Sequence, residues 1–310
     1  MNEVRIPAYA KINLCLDVLG RRPDGYHELR TIFQSISLHD TLRIRLSRKP
    51  GISLTVKGNA ALSQEPIEKN LVYRAVDALR RELKFPGGIE IALEKKIPAG
   101  RGLGGGSSDA GAALLGLLRL TKSQNKSKTE SKIELSRLLE IAASLGADVP
   151  FFLFGGRAFG IGKGDEIYPL PDLPKLNLLV VSPSEIHVPT PDAYRWLGAP
   201  ELASLTKSSA SHKLYKFCAL CWSAQGRLSN DFETAVFERH SRLDQIKRAL
   251  LRRGASEALL AGSGSAVFGV FPSPAKARRA VVGFPHDQSF VCETISRSRY
   301  ARSLKSAIVG

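Results

Sequence analysis

The order of elements in this 310-residue sequence predicts an α+β protein of two domains, residues 1–160 and 161–310. Strand-like runs group near the start, and helices are interspersed rather than strictly alternating with strands. Clustered glycines at 155–156 and 160–164 mark the expected boundary. With 43% hydrophobic and 24% charged residues, the chain can bury a sizeable core. It holds no run of about 18 apolar residues to span a membrane. Its first residues show no basic stretch leading into an apolar one. The expectation is a cytoplasmic protein with no membrane partner.

Residues 4–18 read as a strand. Ile12, Leu14, Leu16 and Val18 alternate onto one face, and Lys11, Asn13, Cys15 and Asp17 onto the other. Arg22-Pro23-Asp24-Gly25 is turn chemistry. Strands are predicted at 31–38, 41–46 and 52–56, giving an antiparallel meander. Residues 70–83 are amphipathic, with Leu71, Ala75, Leu79 and Leu83 near one helical face. Pro86-Gly87-Gly88 ends that helix, and 89–97 is a further strand. An alanine-rich helix follows from near Ser107 to about Leu120. Residues 121–129 are polar and lysine-rich and read as an exposed loop. Ser131 and Glu134 have capping-box spacing before a helix over 135–145, closed by Gly146. The second half mixes strands (176–181, 266–271, 290–295) with helices (192–197, 231–238, 243–253). Gly262-Ser263-Gly264-Ser265 is a second small-residue loop.

Between the strand at 89–97 and the next helix, residues 100–108 hold five glycines and two serines. Glycine lacks Cβ, so consecutive N–H groups can turn toward one point and a ligand can reach the main chain. The helix that follows adds unpaired N–H groups and the positive end of its dipole. Together these make an anion site suited to a polyphosphate. Gly100, Gly102 and Gly105 satisfy G-x-G-x-x-G, but no strand ending in an acidic residue follows about 20 positions later, as a dinucleotide fold requires. No lysine follows the glycines, so this is not a P-loop.

Phosphoryl transfer to an alcohol also needs a carboxylate near the hydroxyl and cations for the spreading charge. Asp148, stiffened between Ala147 and Val149-Pro150, is the best carboxylate candidate; its context alone also fits a helix-end turn. Lys11 is the best cation and shares a strand face with Asn13, although a solvated face would look the same. His27 follows the turn in Tyr26-His27-Glu28; a lone histidine is more often structural.

The net charge is +16, and each half carries +8. Charge spread so evenly, without a basic motif interleaved with aromatics, fits attraction to polyphosphates better than nucleic-acid binding. Cys218-Ala219-Leu220-Cys221 is a lone CxxC. A zinc site needs four ligands, so free thiols in a reducing compartment are expected, Cys15 and Cys292 included.

Four segments carry a resemblance over nearly the whole chain. They are Pro7-Ala8-Tyr9-Ala10-Lys11-Ile12-Asn13-Leu14 with Arg22-Pro23-Asp24-Gly25-Tyr26-His27-Glu28-Leu29; Ile97 through Ala110; Gly146-Ala147-Asp148-Val149-Pro150-Phe151-Phe152; and Leu260 through Phe268. The chain resembles the GHMP kinases, named for galacto-, homoserine, mevalonate and phosphomevalonate kinases. The resemblance implies two α+β domains with the active site in the cleft between them, the first binding ATP. It implies that Asp148 takes or orients the proton of a substrate hydroxyl, and that Lys11 pairs with Asp148 and offsets charge on the transferring group. Pro98, Ala99, Gly100, Arg101, Gly102, Leu103, Gly104, Gly105, Gly106, Ser107 and Ser108 would wrap the ATP phosphates, with Mg2+ nearby. Asn70 and Lys95 would lie near the adenine.

Within the family, Lys11-x-Asn13 with Asp24-Gly25-Tyr26-His27 resembles members whose alcohol substrate carries a cytidine diphosphate. Tyr26 would stack on the base, His27 would read it, and Asn13 would contact the alcohol end. Pro189-Thr190-Pro191-Asp192-Ala193-Tyr194 resembles the segment bringing an aromatic lid, so Thr190 and Tyr194 would face the substrate; the family often has phenylalanine where Tyr194 stands. The alternatives are another alcohol kinase of the family (mevalonate- or homoserine-type), a non-catalytic ATP sensor, and a nucleic-acid-binding module.

Overall fold

The computed structural model describes residues 2–124, 133–202 and 228–306. The chain opens with two long antiparallel strands, β1 (Glu3–Arg21) and β2 (His27–Ser47), joined by the Arg22–Tyr26 turn. The strands expected at 31–38 and 41–46 are one strand. His39-Asp40 reads as a break, but Asp40 is fully buried and its carboxylate accepts from Lys95 Nζ, Lys96 N–H and Ile97 N–H. A satisfied buried carboxylate does not interrupt pairing.

β3 (Ile52–Lys57) leads to a short helix, α1 (Ala60–Gln64), and then to α2 (Leu71–Glu82). The Asn70 side chain caps α2, accepting from Val72 N–H at 2.9 Å. β4 (Gly88–Glu94) joins β3 in parallel and β2 antiparallel. α3 (Gly105–Gln124) starts inside the glycine loop and runs four residues past the expected end, into the lysine-rich stretch. The rest of that stretch and Ser131 lie outside the described residues. α4 (Leu135–Leu145) begins without a side-chain cap from Glu134, and α5 (Phe151–Phe154) is a single turn.

β5 (Arg157–Gly162) pairs with β2, and β6 (Glu166–Pro169) pairs with β5. The first sheet therefore extends to Pro169, and residue 160 falls inside a strand rather than at a boundary. Gly155, Gly156 and Gly162, from the clusters expected to mark the boundary, have positive φ and serve the turns around a paired strand.

β7 (Asn177–Ser182) starts the second sheet, and α6 (Thr190–Leu197) follows. The CxxC lies outside the described residues. β8 (Ser229–Asn230) returns to the first sheet, parallel to β1. Then come α7 (Phe232–Arg239), α8 (Ser241–Arg252), β9 (Glu257–Leu260), β10 (Val267–Phe271), α9 (Pro274–Ala280), β11 (Gln288–Glu293) and α10 (Arg297–Ser306). The second sheet has the order β11-β7-β10-β9 and is antiparallel throughout.

Three cores result. α2, α3 and α4 cover one part of the first sheet, burying Val4, Ile6, Ala8 and Ile44 against Val76, Leu79 and Leu114. Ala10, Ile12, Leu14 and Ile36 pack between the sheets against Leu178, Val180 and Phe268. Leu179, Val181 and Val267 turn the other way, onto α7, α8 and α9. Each such side chain contributes roughly 1.5–3 kcal/mol by leaving water. β1 carries register shifts after Tyr9, Asn13 and Val18. Such irregularities bend and twist a strand, and the even-numbered residues of this one strand serve all three cores. Hence its polar face is buried too: Lys11 is 5% exposed and Asn13 1%.

Beneath the glycine loop, Lys95 Nζ lies 2.6 Å from Asp109 Oδ2 and also pairs with Asp40. These groups tie β2 and β4 to the first turns of α3. Burial works against the Lys95 ammonium, but the two carboxylates outweigh it and raise its pKa; burial pushes the Asp109 carboxyl up. Lys95→Met should therefore cost about 3–5 kcal/mol, because it strands a buried carboxylate. Asp109→Asn, which keeps the shape and supplies a neutral group, should cost clearly less. Urea unfolding of both variants checks the order.

Candidate active site

A cleft of about 1110 Å³ gathers side chains from β1, β2, the glycine loop, the α4–α5 connection, the start of α6 and the 262–263 turn. At its centre, Lys11 Nζ lies 3.4 Å from Asp148 Oδ2. Lys11 is supplied by the buried face of β1 and Asp148 by the tight turn between α4 and α5. Lys11 Nζ also donates to Asn13 Oδ1 at 2.9 Å. Asn13 Nδ2 donates to Thr31 Oγ1 at 2.6 Å, and Thr31 donates to the Cys15 carbonyl at 2.8 Å. This chain fixes the Asn13 amide and one proton of the ammonium. The Asp148 side chain is 31% exposed, so a carboxylate oxygen remains open to the cleft.

The glycine loop closes over this pair. The Lys11 N–H donates to the Leu103 carbonyl at 3.0 Å, stitching the loop to β1. Gly104 has φ +69, and a Cβ there would lie 2.9 Å from Phe152 Cζ and 3.0 Å from Lys11 Cγ. Gly102 has φ +77, and a Cβ there would overlap the Ala261 carbonyl. Only glycine lets the loop lie this close to both the lysine and the second sheet. Gly105, Gly106 and Ser107, the first residues of α3, line the cleft, presenting a helix N-terminus to it.

Of the loop residues expected to wrap phosphates, Pro98, Gly100, Arg101, Gly102, Gly104, Gly105, Gly106 and Ser107 line the cleft. Leu103 instead packs in the inter-sheet core, Ser108 Oγ donates to the Tyr9 carbonyl at 2.6 Å, and Ala99 forms the turn before Gly100. Lys95 is turned away into the Asp40–Asp109 cluster, so its side chain does not reach the cleft, while Asn70 caps α2 beside Leu71, which does.

The other end of the cleft is aromatic. His27 stacks on Tyr194, with centroids 4.4 Å apart and planes at 17°. Tyr194 meets Phe232 edge-on at 4.8 Å. Tyr26 is 58% exposed, with Lys163 Nζ 4.8 Å above its ring. Burial and the positive charge of Arg21 lower the His27 pKa against the pull of Glu201. The imidazole is thereby kept neutral, with one ring nitrogen a donor and the other an acceptor. Burial raises the Tyr194 phenol, and the Asp148 charge adds to it. Thr190 Oγ1 lies 3.0 Å from Ser263 Oγ, joining the start of α6 to the 262–265 turn.

Sequence reasoning missed Arg21, Lys163, His187, Arg195 and Ser263, all of which line the cleft. Lys163 sits between Gly162 and Gly164, a basic residue in a glycine turn that offered a signal. Among the described residues, Lys11, Arg21, Arg101, Lys163 and Arg195 line the cleft beside one lining carboxylate, Asp148, while Asp165 and Asp192 pair with Lys163 and Arg195 from outside the lining, so positive charge is still in excess. Such a balance concentrates polyanions there. No helix among the described residues is long and apolar enough to cross a membrane.

Comparison with known proteins agrees with this geometry. Residues 70–156 match the GHMP kinases N terminal domain, and 214–285 match the GHMP kinases C terminal domain. The chain is 47% identical, over 96% of its length and 90% of the relative's, to a 4-diphosphocytidyl-2-C-methyl-D-erythritol kinase of Solibacter usitatus. It is 42% identical, over 90% of its length and 94% of the relative's, to the protein of that name in Citrifermentans bemidjiense. A crystal structure of 4-(cytidine 5'-diphospho)-2C-methyl-D-erythritol kinase superposes with a TM-score of 0.72 at 34% identity, covering 94% of this chain and 98% of that one. Homoserine kinase from Cytophaga hutchinsonii shares the fold, with a TM-score of 0.71 at 21% identity, covering 96% of this chain and 95% of its own. With a glycine loop, a lysine–aspartate pair and relatives along almost its whole length, the chain belongs to the GHMP kinase family.

Proposed function

We propose that this protein transfers the γ-phosphoryl group of ATP to the 2-hydroxyl of 4-diphosphocytidyl-2-C-methyl-D-erythritol, a step in the non-mevalonate route to isoprenoid precursors. The observation that carries this reading is the Lys11–Asp148 pair, lying in one cleft with the glycine loop on one side and Tyr26, His27 and Tyr194 on the other. A triphosphate suits the loop, and a pyrimidine suits the aromatic end. Mevalonate and homoserine have no ring to place there.

In this reading ATP lies along residues 98–107, with its phosphates against the loop N–H groups and the start of α3. Tyr26 stacks on the cytosine, and neutral His27 offers it one donor and one acceptor. Thr190 and Tyr194 close over the base, while Lys163, Arg21 and Arg195 neutralise the diphosphate. Asn13 holds the erythritol end. The 2-hydroxyl donates its hydrogen bond to Asp148. As the new O–P bond forms, the γ-phosphorus parts from the ADP oxygen and the hydroxyl proton passes to Asp148. Lys11 offsets charge on the equatorial oxygens.

Among the described residues no group of three acidic, histidine or cysteine side chains could hold a resident metal ion. The Ser107 hydroxyl and the Asp148 carboxylate are the oxygen donors in the cleft that would help hold a Mg2+ bound with the nucleotide. Bound there, it would neutralise phosphate charge.

A coupled assay of ADP release tests the reading. Turnover is expected with diphosphocytidyl-methylerythritol and not with mevalonate or homoserine; preference for either of the latter rejects it. Asp148→Asn should lower kcat by about 10²–10⁴-fold while ATP still binds by calorimetry. A variant with near-normal turnover would remove Asp148 from the chemistry. Tyr26→Ala should raise KM for the cytidine substrate about tenfold, the loss of one base–aromatic stack, and leave KM for ATP nearly unchanged. Equal effects on both substrates would contradict the stacking role.

A further inference from the structure

Arg101 is an unexpected residue in the middle of a loop otherwise selected for small size. It sits between Gly100 and Gly102, both at positive φ, and half-buried at the edge of the cleft. Its guanidinium is not left to solvent. One terminal nitrogen donates to Ser265 Oγ at 2.8 Å, and the other donates to the Ser184 carbonyl at 2.8 Å. Ser265 Oγ in turn donates to the Ile186 carbonyl. The Arg101 carbonyl accepts from Ala266 N–H at 3.2 Å.

These bonds join three pieces of chain that are far apart in sequence. The first is the glycine loop, and the second is the turn between β9 and β10. The third is the segment from Ser184 that passes His187 and Thr190 and leads into α6, which carries Tyr194. His187 lies against Gly100, where a Cβ would stand 2.7 Å from its Cε1. Thr190 is bonded to Ser263 in the same turn. A planar guanidinium can hold two acceptors at fixed angles, which a lysine ammonium cannot do with the same geometry.

We propose that Arg101 is a positioning residue that locks the phosphate loop to the segment carrying Thr190 and Tyr194, and so sets the two substrates in line. This rests on the function proposed above. Binding of each substrate draws on its own contacts: loop amides for the triphosphate, aromatic rings for the base. The distance between the γ-phosphorus and the hydroxyl depends on how the two halves of the cleft are held, and small misplacement of reacting atoms is costly in rate. Arg101 therefore acts mainly on kcat.

The test is a double-mutant cycle on Arg101→Ala and Ser265→Ala, with Arg101→Lys alongside. Arg101→Ala is expected to lower kcat about tenfold or more. ATP affinity by calorimetry and KM for the alcohol should shift by less than about threefold. Ser265→Ala, which leaves the glycine loop untouched, should give a smaller loss of the same kind. The double variant should be no slower than Arg101→Ala alone, because the two residues act through one contact. Arg101→Lys should recover only part of kcat. If Arg101→Ala weakens ATP binding with kcat intact, the side chain is a phosphate ligand and the proposal is overturned. Losses that multiply independently in the double variant overturn it too. If Arg101→Ala does not fold, Ser265→Ala and Arg101→Lys carry the measurement, and normal kcat in both is the overturning result. Should the wild-type protein prefer another alcohol, the substrate assignment fails, and the cycle is then read with that alcohol.

Discussion

A lysine ammonium in the middle of a buried strand is unfavourable unless its charge is paired and hydrogen-bonded. Lys11 meets that demand with the Asn13 amide and the Asp148 carboxylate, and the surroundings follow from it. Asn13 must be held by Thr31, and Thr31 by the Cys15 carbonyl. Asp148 must arrive from a stiff turn, because a mobile carboxylate would leave the ammonium unmatched. Gly104 must lack a side chain, because Lys11 and Phe152 occupy the space. The pair is half-open: buried at the lysine and accessible at the aspartate. That asymmetry allows one charge to be structural and its partner to meet a substrate.

The glycine loop solves a second packing problem with the same residues. It is pressed between β1 and the 262–265 turn of the second sheet, contacting both through backbone. A loop held on two sides can present its amides without rearranging, and preorganised donors stabilise developing charge better than mobile ones. Lys95, Asp40 and Asp109 brace it from below. Their position explains why Lys95, although next to the loop in sequence, has no side-chain part in the cleft.

Local chemistry is what the sequence made legible. The 135–145 helix, the α2 face and the first strand, expected over 4–18, carry regular spacing, and each formed within a few residues of expectation. The glycine loop was readable because five glycines between a strand and a helix have few other uses. Long-range pairing was not readable. Asp40 looked like a break because its partner is 55 residues away. Gly155 and Gly156 looked like a domain boundary because nothing local says that Arg157–Gly162 returns to β2. Family resemblance supplied the expected roles of Tyr26 and Tyr194, which spacing alone could not, and sharpened that of Asp148, already the best carboxylate candidate on local chemistry. It also brought in Lys95, whose side chain, like those of Leu103 and Ser108, is spent on holding the loop.

The charge balance of the cleft bears on how a base could be read there. Lys11, Arg21, Lys163 and Arg195 outnumber the one carboxylate lining the cleft and favour polyphosphates of any kind, so they would confer affinity and little selectivity. Selectivity has to come from groups that the same cations do not disable. A histidine charged near neutral pH would offer two donors and no acceptor, and would be repelled by its neighbours. Burial against Tyr194 together with the nearby Arg21 pushes His27 the other way, toward the neutral form. The basic environment that holds phosphates thus keeps an acceptor at the aromatic end. A cytosine edge carries an amino donor beside ring acceptors, and a neutral imidazole can accept from that amino group where an imidazolium cannot. In the function proposed above, substrate affinity and base selectivity would then share one electrostatic arrangement.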